Sequence, residues 1–195
     1  GTDSEEIPVS LEGNSDSFRM KLSFLPNGNC VILPNINGRG YGFFKITEGE
    51  SSGLWSVLRS SEDEVLKGSL LITLYENLRW KTISPQGFRD EMLAYLPNES
   101  NSLLFSMALS YLGDCQRIFP SDSRPLEQAL WKIVTTNPVS QHRLQAFRLY
   151  RSIADSEEAV QRLYTLWQER KAPKDCALSE SDYIGLSYIL AIHLP

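Results

Sequence analysis

Residues 64–78 read EVLKGSLLITLYENL, and residues 155–167 read DSEEAVQRLYTLW. In the first stretch a leucine stands at every fourth position, and in the second apolar residues recur at three- and four-residue steps from Val160 to Trp167. Such spacing places apolar side chains on one face of a helix, so both stretches are predicted to be amphipathic helices. The large aromatic residues of this region are predicted to lie in the core: Tyr75, Trp80, Phe88, Trp131 and Trp167.

Residues that favour helix N-termini recur after residue 50. A capping box joins a cap residue to an acidic residue three positions later, and a cap residue before proline puts proline at the first helical position. These signals occur at Ser61–Glu64, Asp155–Glu158, Ser179–Asp182, Ser84-Pro85 and Asn137-Pro138. They predict about eight helices that begin roughly every 20 residues. Helix pairs at that rhythm are typical of an α–α superhelix of helical hairpins, HEAT- or armadillo-like, which we expect over residues 48–195.

The first 47 residues carry a different pattern. Apolar and polar residues alternate strictly over residues 17–24, the period of a half-buried strand. A turn signal at 26–29 separates this strand from a second one at 30–33, and the glycine-rich run 38–46 is expected to bend into a last strand. We therefore predict that residues 1–47 are a short antiparallel β remnant, the trailing part of a β-sandwich.

Charge and hydropathy exclude two classes of partner. The 195 residues include 19 Lys or Arg and 24 Asp or Glu, a formal net charge of −5 at pH 7, whereas nucleic-acid-binding domains present a basic face. No apolar run approaches the roughly 18 residues of a membrane span. Residues 183–194 are apolar on nearly every side, so the helical domain is expected to be truncated at its C-terminal end. The sequence leaves open whether the protein is exported to a periplasm or stays in the cytoplasm.

Metal-binding and nucleophilic residues are few and scattered. His142 and His193 belong to no H-E-x-x-H pair, and the three cysteines show neither zinc-binding nor disulfide spacing. We predict no catalytic residue, no metal ligand and no cofactor in this chain. A nucleophile pair of Cys115 with His142 stays open at this point.

A basic stretch over residues 138–174 is the candidate binding feature. It holds seven Lys or Arg against four Asp or Glu. Arg148 and Arg151 lie three residues apart on one predicted helix, and Arg143 precedes them. Such a group forms either a solvated face opposite nearby acidic residues or a site that binds a carboxylate.

Several short landmarks, in this order, resemble the C-terminal region of the aminopeptidase N family of zinc metallopeptidases, and the bacterial members most closely. The landmarks are LPN at 33–35, GRGYG at 38–42, VLKG at 65–68, LYEN at 74–77, ISP at 83–85 with Phe88, Glu157 to Val160 with Trp167, and SESDYI at 179–184. The resemblance covers roughly residues 30–195. It implies the end of a small β-sandwich followed by much of a HEAT- or armadillo-like helical domain.

The resemblance also implies a function within a larger protein. The family's H-E-x-x-H pair, further zinc-binding Glu, G-x-M-E-N motif and Tyr have no match here, so the zinc site would lie in an upstream catalytic domain. This chain would then be a non-catalytic C-terminal domain that encloses the active-site chamber and restricts substrates to peptides. Its partners would be that catalytic domain and the peptide substrates, whose C-terminal carboxylate Arg148 and Arg151, with Arg143 third, would bind.

Two other functions remain open. The chain could be a free-standing helical-repeat module that binds a protein or peptide on its concave face. It could also be a hydrolase in its own right, although the sequence shows no catalytic motif.

Overall fold

Eight α-helices and one 3₁₀ turn make up the part of the chain that the computed structural model describes, residues 31–35 and 42–193. The helices are α1 (Glu48–Ser60), α2 (Glu64–Arg79), α3 (Pro85–Tyr95), α4 (Ser102–Ile118), α5 (Arg124–Thr136), α6 (Ser140–Ile153), α7 (Glu157–Glu169) and α8 (Glu180–His193), with the 3₁₀ turn at Leu96–Asn98. The described residues belong to one unit, Val31–Pro195. The prediction of a mainly helical fold is confirmed, and so is the number of helices within these residues.

Two of the predicted helix starts are confirmed. Ser84 caps α3 by accepting a hydrogen bond from the Gly87 N–H at 3.2 Å, with Pro85 as the first helical residue. Ser179 and Asp182 bond reciprocally ahead of α8. The Ser179 N–H donates to Asp182 Oδ2 at 3.0 Å, and the Asp182 N–H donates to Ser179 Oγ at 3.3 Å. This reciprocal pair is a capping box with Asp in the acidic position.

The other three helices begin one or two residues later than predicted. Their N-cap residues are Asp63 in place of Ser61 at α2, Ser156 in place of Asp155 at α7, and Val139 in place of Asn137 at α6. At α2 the Asp63 carboxylate accepts hydrogen bonds from two successive N–H groups. A single serine hydroxyl, such as that of Ser61, is a weaker acceptor for two donors. At α6 the Asn137 Oδ1 accepts from the Val139 N–H at 2.9 Å, so Asn137 forms a turn ahead of the helix.

The segment that leads into α1 is not part of a sheet. Within the described residues no strand occurs, and both 31–33 and 43–46 were predicted to be strands. The backbone at 43–46 bonds to a helix side chain instead: the Ile46 N–H donates to Asn77 Oδ1 at 2.9 Å, and Asn77 Nδ2 donates to the Phe44 carbonyl at 2.8 Å. The predicted strand at 17–24 lies outside the described residues and stays a prediction.

Consecutive helices pair, and the even-numbered helices form a row. α1 packs against α2, α3 against α4, α5 against α6, and α7 against α8. α2 also packs against α4, α4 against α6, and α6 against α8. A helix in such a row must be apolar toward its pair partner and toward its row neighbours. In α2 this requirement is met by buried leucines at 70, 71, 74 and 78.

Two carboxylates, the exposed Glu48 and the buried Glu127, connect successive odd-numbered helices. Glu48, the first residue of α1, accepts a hydrogen bond from the Ser84 N–H at the start of α3 at 2.6 Å. Glu127 in the first turn of α5 accepts from the N–H groups of Asp155 and Ser156, ahead of α7, at 2.8 and 3.1 Å. Burial raises the pKa of Glu127, but these donors and the Ser156 hydroxyl outweigh it and hold the pKa below its ordinary value. Each carboxylate satisfies N–H groups at a helix start.

Asn77 is predicted to be the residue that holds the entry segment to the helices. It is fully buried, and it also accepts from Thr82 Oγ1 at 2.6 Å and donates to the Thr73 carbonyl at 2.9 Å. Asn77→Ala would leave several buried polar groups unpaired, so we expect it to lower the free energy of unfolding by about 2–3 kcal/mol in chemical denaturation. Asn98→Ala, at an exposed position, is the control. Equal stability of the two variants would contradict this role for Asn77.

Candidate functional site

A groove runs along the exposed surface of α2 and α4. It encloses about 1220 Å³. Its α2 wall is a line of residues four apart, Glu64, Gly68, Ile72 and Glu76, and the α4 wall includes Leu103, Leu104 and Met107. A Cβ placed on Gly68 would lie 3.7 Å from Leu104 Cδ2. This is an ordinary van der Waals distance, so Gly68 and Leu104 lie next to each other where the two walls meet.

The groove exposes large apolar side chains. Leu103 is 75% exposed, Trp80 70% and Val65 66%, and Ile72 and Phe43 are also exposed. The rings of Phe43 and Trp80 lie 5.6 Å apart at one end of the groove. A contiguous set of exposed apolar residues rimmed by polar ones is typical of a surface that binds a partner.

The sequence prediction missed this groove. Trp80 was predicted to be core but is exposed, and Trp167 is 38% exposed, whereas Phe88 is buried as predicted. A signal was present in the sequence, since Val65 and Ile72 are seven residues apart and lie off the buried leucine face. A second apolar stripe on a helix marks another packing surface or a binding surface.

The three arginines predicted to bind a carboxylate form hydrogen bonds to other residues of this chain. Arg148 makes a bidentate pair with Asp182, Nε to Oδ1 at 2.9 Å and Nη2 to Oδ2 at 3.2 Å. Arg151 Nη1 donates to the Asp182 carbonyl at 2.9 Å. Arg143 donates to the carbonyls of Asn137 and Lys174. The arginines thus bind across to α8 and the loop ahead of it, and their role toward a peptide carboxylate stays a prediction.

Asp182 joins α6 to α8. It is 2% exposed, and the hydrogen bonds from Arg148 hold its pKa well below the ordinary value, although burial acts in the opposite direction. Gly185, one turn later, leaves room for Arg151, because a Cβ there would lie 2.5 Å from Arg151 Nη1. A buried carboxylate with two guanidinium partners is compensated, so it is a structural contact between two helices of the row.

His142 lies apart from Cys115. His142 Nε2 is 3.0 Å from Ser102 Oγ, and its ring stacks on Phe105 with centroids 4.0 Å apart. Cys115 contacts Arg89 and the Pro85 carbonyl instead, and burial raises the pKa of its thiol. The structure therefore does not bring the pair considered from sequence together. His142 Nδ1 is buried and has no hydrogen-bond partner among the described residues, whereas a catalytic histidine is oriented by a group bonded to that atom.

Metal-ligand clusters and membrane-spanning helices are both absent from the residues that the structure describes. Among them no cluster of three or more His, Cys, Asp or Glu side chains could hold a metal ion. In the same part of the chain, no helix is both long and apolar enough to span a membrane. Comparison of the chain with known protein families, curated proteins and solved structures finds no match. The relationship to the aminopeptidase N family therefore stays a prediction.

His142 is predicted to make stability depend on pH. Burial lowers its pKa below the unfolded value near 6.5, although the charge of Glu99 acts in the opposite direction. The unfolded chain therefore binds a proton at His142 more readily than the folded chain does. The contribution of neutral His142 to the free energy of unfolding is complete above about pH 6.5 and is lost as the pH falls. We expect the free energy of unfolding, measured by chemical denaturation, to fall as the pH is lowered from 7 to 5.5.

The matched variants separate this histidine from other titrating groups. His142→Gln should remove the loss between pH 7 and pH 5.5, and His193→Gln should retain it. Carboxylates in the unfolded chain titrate mainly below about pH 5, so they contribute little in this range. The same slope in both variants would contradict the assignment to His142.

Proposed function

We propose that this chain is a non-catalytic helical-repeat domain whose α2–α4 groove binds a polypeptide segment. The observation that carries the proposal is the groove itself, an apolar concavity with large exposed side chains on two helices of one row. Helical repeats present extended surfaces of this kind to partner chains. The pairing of consecutive helices and the row of even-numbered helices support a HEAT- or armadillo-like superhelix.

The parent protein is proposed from the sequence landmarks alone. They support a C-terminal domain of a zinc aminopeptidase-like protein, in which this domain would enclose the chamber that receives peptides. An H-E-x-x-H motif encoded upstream of residue 1 in the same gene would support that placement. A gene without it would favour the free-standing binding module. In both cases the proposed ligand of the groove is a polypeptide.

Loss of the exposed apolar residues should abolish binding. The probe is a fluorescent, end-capped peptide of about ten residues in which Leu alternates with Ser, long enough to span the groove when extended. We expect saturable binding by fluorescence anisotropy, weakened at least about tenfold in the double variant Leu103→Ser with Trp80→Ser, because apolar contact residues dominate such interfaces.

The control changes equally exposed apolar residues elsewhere. Tyr188 and Ile192 on α8 are 70% and 73% exposed, so Tyr188→Ser with Ile192→Ser removes a similar surface. This variant should bind the peptide as the unmodified protein does. Absence of binding to the unmodified protein, or an equal loss in both double variants, would contradict the proposed function.

A further inference from the structure

The groove is acidic at both ends of its α2 wall and apolar between them. Glu64 and Glu76 are separated by twelve residues of helix, which corresponds to about 18 Å along the axis. Gly68 and Ile72 lie between them on the same line of the helix surface. An extended chain of five or six residues covers that distance. An occupant that lies along α2 therefore meets a carboxylate, an apolar floor and a second carboxylate.

The two carboxylates are available to an occupant. Among the described residues, none forms a hydrogen bond or an ion pair with the carboxylate of Glu64 or of Glu76. Other carboxylates are engaged, as Glu99 is by Lys67 and Tyr95. Burial raises the pKa of Glu99, but these donors outweigh it and lower the pKa overall. Charges without internal partners at the rim of an apolar groove favour a partner of opposite charge.

The two ends of the groove differ in their surroundings. Arg79 lines the groove three residues after Glu76 and reduces the negative charge at that end. Glu64 follows Glu62 and Asp63 in the sequence. Lys67, one turn into α2, is 2.6 Å from Glu99 and so is neutralised by it. More acidic side chains without a basic neighbour therefore lie at the Glu64 end than at the Glu76 end.

We infer that the groove binds an apolar polypeptide segment that carries a Lys or Arg side chain placed against Glu64. This inference rests on the proposed function and names the chemistry of the partner. The exposed apolar side of α8 in a second copy of the chain fits the groove less well. It is formed by Ile184, Tyr188 and Ile192, and residues 180–192 contain no Lys or Arg.

The experiment compares three end-capped peptides of about ten residues in which Leu alternates with Lys, Ser or Glu. At low salt we expect the Lys peptide to bind about fivefold more tightly than the Ser peptide, and the Glu peptide to bind more weakly than both. Because the contacts are at an exposed rim, the preference should shrink at about 0.5 M salt. In Glu64→Gln the advantage of the Lys peptide should fall below about twofold, and in Glu76→Gln it should fall less.

The control variant separates local recognition from the general attraction of an acidic protein. Glu157→Gln removes the same charge from another exposed residue that is also the first of its helix, away from the groove. It should leave the preference for the Lys peptide unchanged. Equal loss in Glu64→Gln and Glu157→Gln would overturn the inference, as would self-association of the protein that the peptides displace.

The outcomes also distinguish this inference from the proposed function. If the Ser peptide binds and depends on Leu103 and Trp80, but the Lys peptide binds no more tightly, the groove is a polypeptide site without charge preference and only the inference fails. If no peptide binds, the proposed function fails with it.

Discussion

The packing of each even-numbered helix against the next is the constraint on which the rest of the structure depends. α4 and α6 each have three helical neighbours, a pair partner and two row neighbours, so they must bury side chains on most of their circumference. The helices at the ends of the row, α2 and α8, have only one row neighbour, and each has exposed apolar residues that no described element covers. On α2 these exposed apolar residues line the groove. Gly68 and Leu104 line the groove, and Val65, Ile72 and Leu103 are exposed along it.

Carboxylate side chains that accept hydrogen bonds from other helices or from the residues ahead of them connect the packed helices. Glu48 and Glu127 each join the start of an odd-numbered helix to N–H groups ahead of the next odd-numbered helix. Asp182 does the equivalent between α6 and α8 with two arginines. Glu127 and Asp182 are buried and compensated by donors, which is the condition under which burial of charge is tolerated. Glu64 and Glu76 differ from them because no described residue donates to their carboxylates, and both line the apolar groove.

Periodicity in the sequence predicted the helices well, because it reports directly on which side of a helix is buried. The four-residue spacing of leucines in α2 and the cap at Ser84 were sufficient to predict that α2 and α3 exist and roughly where they begin and end. The predicted N-cap residue was wrong where two acceptors compete for the same N–H groups, as Ser61 and Asp63 do. The strand expected at the end of the glycine-rich run 38–46 does not form, because local sequence does not reveal that Asn77, more than thirty residues away, supplies the hydrogen bonds. The groove was missed for a similar reason. Exposure of Trp80 depends on which helices are neighbours, and that is a property of the tertiary structure.

The location of the bound segment is the most direct test of the central claim, that polypeptides bind between α2 and α4. Backbone amide and tryptophan indole NMR shifts of the labelled protein should be followed during titration with the Leu–Lys peptide. The account predicts that the largest shifts occur at residues 64–76 and 103–107 and at the Trp80 indole, with α8 unaffected. Shifts centred on residues 184–192, or spread evenly over the helices, would contradict it.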